Sequence, residues 1–156
     1  MGAVVRTRQG AVRGSEAEGV STFKGIPYAA PPFGINRFQA PQPVETWSGV
    51  RDALTYGATV PKPPYFPPFD VLLPEPVIVG EDSLNLNIWS PDLGQAKLPV
   101  MVWIHGGAFA NGSGAVTQYD GSRFARDGVV CVTINYRLGA DGFLYLGDGP
   151  ANLGLL

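Results

Sequence analysis

The run Val102-Trp103-Ile104-His105-Gly106-Gly107-Ala108-Phe109 carries an apolar stretch straight into two glycines and a small residue. That pattern suits acyl transfer. When a nucleophile adds to an ester carbonyl, the carbonyl oxygen becomes an anion, and donors must already stand where that charge appears. Backbone N–H groups serve best where the flanking side chains are too small to block the approach. Gly106, Gly107 and Ala108 are the candidates, at the end of an expected buried strand. Ligands of open α/β sheets sit beyond the carboxyl ends of the strands, which is where this run falls. The alternative is a tight turn that uses glycine only for its backbone freedom.

The other half of a serine-hydrolase site is missing from these residues. The sequence has a single histidine, His105, and no Gly-x-Ser-x-Gly. No serine or acid is arranged to make His105 a base, so it reads as scaffold. The single Cys131 excludes an intrachain disulfide and, between Val130 and Val132, reads as a buried inert thiol. No Cys/His group could hold zinc and no Gly-rich phosphate loop ends in Lys-Ser/Thr, so neither metal nor cofactor is expected.

The elements that must position the glycine run follow from pattern. Residues 99–104 and 129–134 are continuously apolar, as in strands buried on both faces. Between them, residues 120–128 read as a short helix, with Asp120 as N-cap and Gly128 just past its end. Strand, helix, strand is a βαβ unit and implies a parallel pair. Leu84, Leu86 and Ile88 alternate with Asn85 and Asn87, as in a strand whose asparagine face is wet. Residues 3–28 read as short strands turning at Gly10, Gly14 and Gly19, and residues 45–56 allow a short helix. Pro27, Pro31, Pro32, Pro41 and Pro43 mark irregular chain between them. A capped apolar helix is expected to begin at Asn152.

Residues 61–80 interleave prolines with Tyr65, Phe66 and Phe69, a density that excludes a stable helix or central strand. One reading is an extended surface connector. The other is an active-site lid whose aromatics line a binding mouth.

The 156 residues suit about one domain; they are 45% hydrophobic and 15% charged, with net charge −2. No Lys/Arg cluster points to nucleic acid or an anionic membrane surface. No apolar run has transmembrane length, and Met1-Gly2-Ala3-Val4-Val5-Arg6 fits neither a signal peptide nor a myristoylation site. A cytoplasmic location is the expectation.

Several segments in one order resemble the type-B carboxylesterase family, the cholinesterase-like branch of the α/β-hydrolases. They are Phe23-Lys24-Gly25-Ile26-Pro27-Tyr28-Ala29-Ala30-Pro31-Pro32, Arg37-Phe38-Gln39-Ala40-Pro41 with Trp47, Glu81-Asp82-Ser83-Leu84-Asn85-Leu86-Asn87, Asn135-Tyr136-Arg137-Leu138-Gly139 and Asn152-Leu153-Gly154-Leu155. The His-Gly-Gly-Ala-Phe run is similar to that of the bacterial para-nitrobenzyl esterase subgroup. The resemblance implies that residues 1–156 are the N-terminal part of one α/β-hydrolase domain with a central, mostly parallel sheet. It implies a serine carboxylesterase acting through an acyl-enzyme, with the serine, acid and histidine beyond residue 156. Gly107 and Ala108 then correspond to oxyanion-hole amides, with Gly106 shaping the turn. Phe109, Tyr65, Phe66 and Phe69 become candidate substrate-binding residues. The implied partners are a small-molecule ester, including esters of bulky alcohols, and the remainder of the same protein. A non-catalytic binding or adhesion module of the same family is the alternative.

Some residues depart from the family pattern. Ser83 stands where disulfide-bearing relatives have cysteine and Val60 near its partner, so the loop between them is unstapled. Asn85 replaces an aromatic, Ala140-Asp141 a Pro-aromatic pair and Ala151 an Asp. Glu81 and Asp82 read as a polar strand entry, and Arg137 as one side of a structural ion pair.

Overall fold

Short polar-apolar runs near the N-terminus form a small sheet. In the computed structural model, which describes residues 2–73, 75–94 and 97–156, β1 (Val4–Arg6) pairs antiparallel with β2 (Ala11–Arg13). The turn between them is tied by Thr7 Oγ1, which donates to Gly10 O at 2.8 Å. The expected helix within residues 45–56 does not form. Val50–Asp52 is instead a strand, β5, lying parallel to β2. A β-branched valine and a cross-strand ion pair between Arg13 and Asp52 (2.5 Å) suit extended backbone there.

Strands β3 (Ser15–Ala17) and β4 (Val20–Pro27) form a hairpin. Glu18 and Gly19 both have left-handed φ, +51° and +74°, as a twist-matched two-residue turn requires. With β6 (Asn85–Ser90), β7 (Val100–Ile104) and β8 (Val130–Ile134) the hairpin builds a second sheet in the order β3-β4-β6-β8-β7. Pairing is antiparallel from β3 through β8, and β7 runs parallel to β8. The expected βαβ unit is this last pair, joined through α2 (Ser122–Arg126). Ala125 of α2 packs on Val20, Trp89 and Cys131. Gly128 follows the helix at φ +88°, as expected of a C′ glycine. The N-cap is Gly121 rather than Asp120. A Cβ at Gly121 would lie 2.6 Å from the Cys131 Cβ, so the helix enters through glycine. Asp120 still accepts the Ser122 N–H at 2.9 Å.

Two strands invert their expected burial. Asn85 and Asn87 are each 2% exposed, not wet. Strand β6 lies between β4 and β8 with both faces covered, and its asparagines are paired. Asn87 Oδ1 accepts the Gly25 N–H at 3.0 Å, and its Nδ2 donates to Thr133 Oγ1 (2.9 Å) and Gly114 O (3.1 Å). Asn85 Nδ2 donates to Asp82 O (2.7 Å) and Ala58 O (2.8 Å). Conversely, within residues 1–156 β7 is the last strand of this sheet, and Val100, Val102 and Ile104 are 62%, 53% and 55% exposed there. A strand is buried on both faces only where something packs on both, and its own composition does not supply that.

Residues 61–80 are irregular apart from one helical turn, α1 (Phe69–Leu72). It starts directly after Pro68, where a proline's missing N–H is no loss. Pro74, within this stretch, and Met1 lie outside the described residues. A third short helix, α3 (Gly139–Phe143), follows β8. Asn152 does not cap a helix within these residues. Its φ of +56° is left-handed where a cap residue is extended, and its carbonyl closes one turn onto the Leu155 N–H at 3.2 Å.

Candidate active site

Beyond the last residue of β7 the chain turns inward at His105, which is buried. Its imidazole stacks on the Tyr136 ring, centroids 4.4 Å apart, and the Tyr136 hydroxyl donates to His105 O at 2.8 Å. Nδ1 lies 2.9 Å from Gly106 O. A carbonyl oxygen only accepts, so Nδ1 carries the proton. Burial lowers the His105 pKa below its ordinary value, which leaves the ring neutral at pH 7. Its Nε2 meets no partner among the described residues. His105 holds the glycine run in shape through Gly106.

The run itself is a left-handed turn. Gly107, Ala108 and Phe109 have φ of +127°, +54° and +60°. Gly107 O accepts the N–H groups of Ala110 (3.0 Å) and Asn111 (2.9 Å). A Cβ at Gly107 would stand 2.1 Å from Asn111 O, so only glycine fits. Ala108 and Phe109 occupy a region that L-residues avoid, and such geometry persists only where neighbours enforce it. Phe109 O accepts the Gly139 N–H at 2.7 Å, and the Phe109 ring packs on Phe143 at 4.8 Å. The outcome is chemical. The N–H groups of Gly106, Gly107 and Ala108 donate to no other described residue, and the three residues line a cavity of 630 Å³. Free backbone donors on a concave wall can take up an anionic oxygen.

The far end of the run is clamped by the buried asparagines. Gly114 N–H donates to Asn135 Oδ1 at 2.7 Å. Gly114 O accepts from Asn87 Nδ2 (3.1 Å) and from Thr133 Oγ1 (3.0 Å). Sequence reasoning missed Asn87, Thr133 and Asn135 as supports of the site. The available signal was polar residues recurring inside otherwise apolar strands, which is costly unless each is paired.

The proline-rich loop also lines this cavity. Tyr65, Phe69 and Leu73 line it, together with Glu75. The other two aromatic candidates lie off this lining: Phe66 is 81% exposed, and the Phe109 ring turns to Phe143. Lys62 and Glu75 form a buried ion pair, and Lys62 Nζ also donates to Gly112 O at 3.2 Å. Neither residue stood out in the sequence.

The remaining charged candidates are structural. Arg137 is buried and forms no ion pair among the described residues. Its Nε donates to Leu153 O (2.9 Å) and its Nη1 to Gln39 O (2.7 Å), so carbonyl oxygens take the place of the expected carboxylate. Asp82 pairs with Arg51 at 2.7 Å on the surface. Burial pushes the Cys131 thiol up from its ordinary pKa, away from the nucleophilic thiolate. No helix among the described residues is long and apolar enough to cross a membrane.

Comparison with known proteins identifies relatives of the whole chain. The model of the carboxylesterase family matches residues 2–156. The para-nitrobenzyl esterase of Bacillus subtilis (strain 168) is 47% identical over 98% of this chain and 32% of its own length. The phenmedipham hydrolase of Pseudarthrobacter oxydans is 42% identical over 97% of this chain and 31% of its own length. A solved PNB esterase structure superposes with a TM-score of 0.88 at 44% identity, covering 99% of this chain and 33% of that one. The chain thus spans about a third of the length of the relatives it matches, and its architecture is that part of an α/β-hydrolase fold. By sequence and by structure, the chain belongs to the carboxylesterase family.

Proposed function

We propose that this chain is the carbonyl-polarising part of a carboxylic-ester hydrolase. The nucleophilic serine, its acid and its histidine lie outside residues 1–156. The observation that carries this reading is the left-handed turn at Gly107 and Ala108, which leaves backbone donors unpaired on the wall of a largely apolar cavity. The serine oxygen adds to the ester carbonyl carbon as its proton passes to the histidine. The carbonyl π pair moves onto oxygen, and the Gly107 and Ala108 N–H groups meet that charge, each worth about 3 kcal/mol. Collapse expels the alcohol, which takes the proton, and leaves acyl-serine. Water then repeats the sequence and releases the acid. Gly106 shapes the turn. Tyr65 and Phe69 hold the apolar part of the substrate, and the loop of residues 61–80 acts as a lid over it. The carboxylesterase membership and the esterase name of the Bacillus relative support esters as the substrate class.

The donor assignment is tested in the full-length protein by exchanging Ala108 for its α-hydroxy acid, lactic acid. That swap deletes one N–H and leaves the methyl group. Proline is unsuitable here, because its φ near −65° is incompatible with +54°. The expected result is a fall in kcat of about 100-fold or more at an unchanged titre of active sites. Unaltered turnover overturns the assignment. A full-length protein that takes up no stoichiometric organophosphate is a non-catalytic binding module instead.

A further inference from the structure

The loop side of the cavity is fastened at its base by one buried ion pair. Lys62 and Glu75 flank the stretch that carries Tyr65 and Phe69, and their side chains are 4% and 9% exposed. Lys62 Nζ reaches further, to Gly112 O at 3.2 Å. Gly112 lies hard against the glycine run: a Cβ there would stand 2.1 Å from His105 Nδ1 and 2.3 Å from Gly106 O. The Gly112 carbonyl is therefore a handle on the segment that shapes the free donors.

A buried Lys–Glu pair is a poor device for stability alone, because desolvation offsets the attraction and apolar side chains of similar size do as well. What apolar side chains cannot reproduce is the hydrogen bond to Gly112 O. An ammonium has three N–H donors and can serve the carboxylate and the carbonyl together. Glu75 neutralises the charge and keeps Lys62 turned inward. We infer that Lys62 is a positioning residue, which couples the loop of residues 61–80 to the glycine run through Gly112 O. Lid wall and backbone donors are then held in one geometry. The inference rests on the ester-hydrolase reading above.

Two variants of the full-length protein test it: Lys62→Met, and Lys62→Met with Glu75→Leu. The double variant removes both charges, so any loss caused by a stranded Glu75 carboxylate is repaired. Turnover of an aryl ester is measured per site titrated with an organophosphate, and hydrogen exchange is followed over residues 105–112. Both variants are expected to lose about tenfold in kcat with KM changed by less than about threefold. Exchange of the Ala110 and Asn111 amides in this window, which donate to Gly107 O, is expected to rise about tenfold in both. The double variant recovers the melting temperature but not kcat. A double variant with native kcat and native exchange overturns the coupling. A wild-type protein that neither turns over esters nor takes up the organophosphate overturns the hydrolase reading instead, and the exchange measurement still decides the coupling.

Discussion

Strands β6 and β7 lie two places apart in one sheet and depart from the usual polarity rule in opposite directions. Strand β6 buries its asparagines, and β7 exposes valine and isoleucine. Composition alone ranks them the other way. The difference is place. Strand β6 has a partner on each side, and loops bring carbonyls and N–H groups to its asparagines, so each amide recovers the hydrogen bonds it would make in water. Within residues 1–156, strand β7 has only β8. The two strands also have separate tasks. The buried Asn87 of β6, with Thr133 and Asn135, braces the far end of the glycine run at Gly114. Strand β7 delivers its near end.

The largest effect is expected at Asn87. In the chain of residues 1–156, Asn87→Leu strands the Gly25 N–H and removes a donor from both Gly114 O and Thr133 Oγ1. Urea unfolding is expected to show a loss of about 3 kcal/mol. A loss near zero would mean that the amide face is filler. Thr133→Val removes the hydroxyl that donates to Gly114 O and keeps the shape. It is expected to cost about 1–2 kcal/mol in the same measurement, and a larger loss than Asn87→Leu would reverse the order of importance.

His105 marks the point where β7 passes into the interior, and its burial makes stability depend on pH. Its pKa is lowered in the fold by burial, so the unfolded chain binds more protons below the ordinary value. Stability is then fully present above pH ~6.5 and declines as pH falls below it, by at most ~1.4 kcal/mol per pH unit. Unfolding of the wild-type chain from pH 5 to 8 checks this, and His105→Asn should flatten that part of the curve. The smallest effect is expected on β7. Val102→Lys should cost less than about 0.5 kcal/mol in the same chain, because its site is half in water. It should also lower light scattering, since a charged edge strand resists pairing with another copy. A cost of core size would erase the contrast between the two strands.

Much of the local structure was legible. Gly19 marked a turn between short strands, Gly128 ended a helix, and two apolar runs around a short helix made a parallel pair. The glycine run stood out because an apolar strand entering two glycines and a small residue leaves backbone N–H groups unobstructed, although a plain tight turn has the same pattern. The helix expected within residues 45–56 failed because pairing with β2 outweighed weak local preference. Arg137 was misread because sequence shows a charge and not the carbonyls that approach it. Lys62 and Glu75 escaped notice for the same reason: their meaning arises only when the loop folds back over Gly112.

Short-range physics made the turn at Gly19, the helix end at Gly128 and the parallel pair readable from the residues alone. The sequence also carried the family, since motifs in one order survive without any contact being known. The tertiary structure alone decided which face of β6 is inside, why Gly114 stays in place, and which loop residues close the cavity. Those outcomes depend on hydrogen bonds between residues far apart in the chain, such as Asn87 with Gly25 or Lys62 with Gly112. A buried polar group costs energy or contributes it according to whether its partner arrives, and only the folded chain brings the partner.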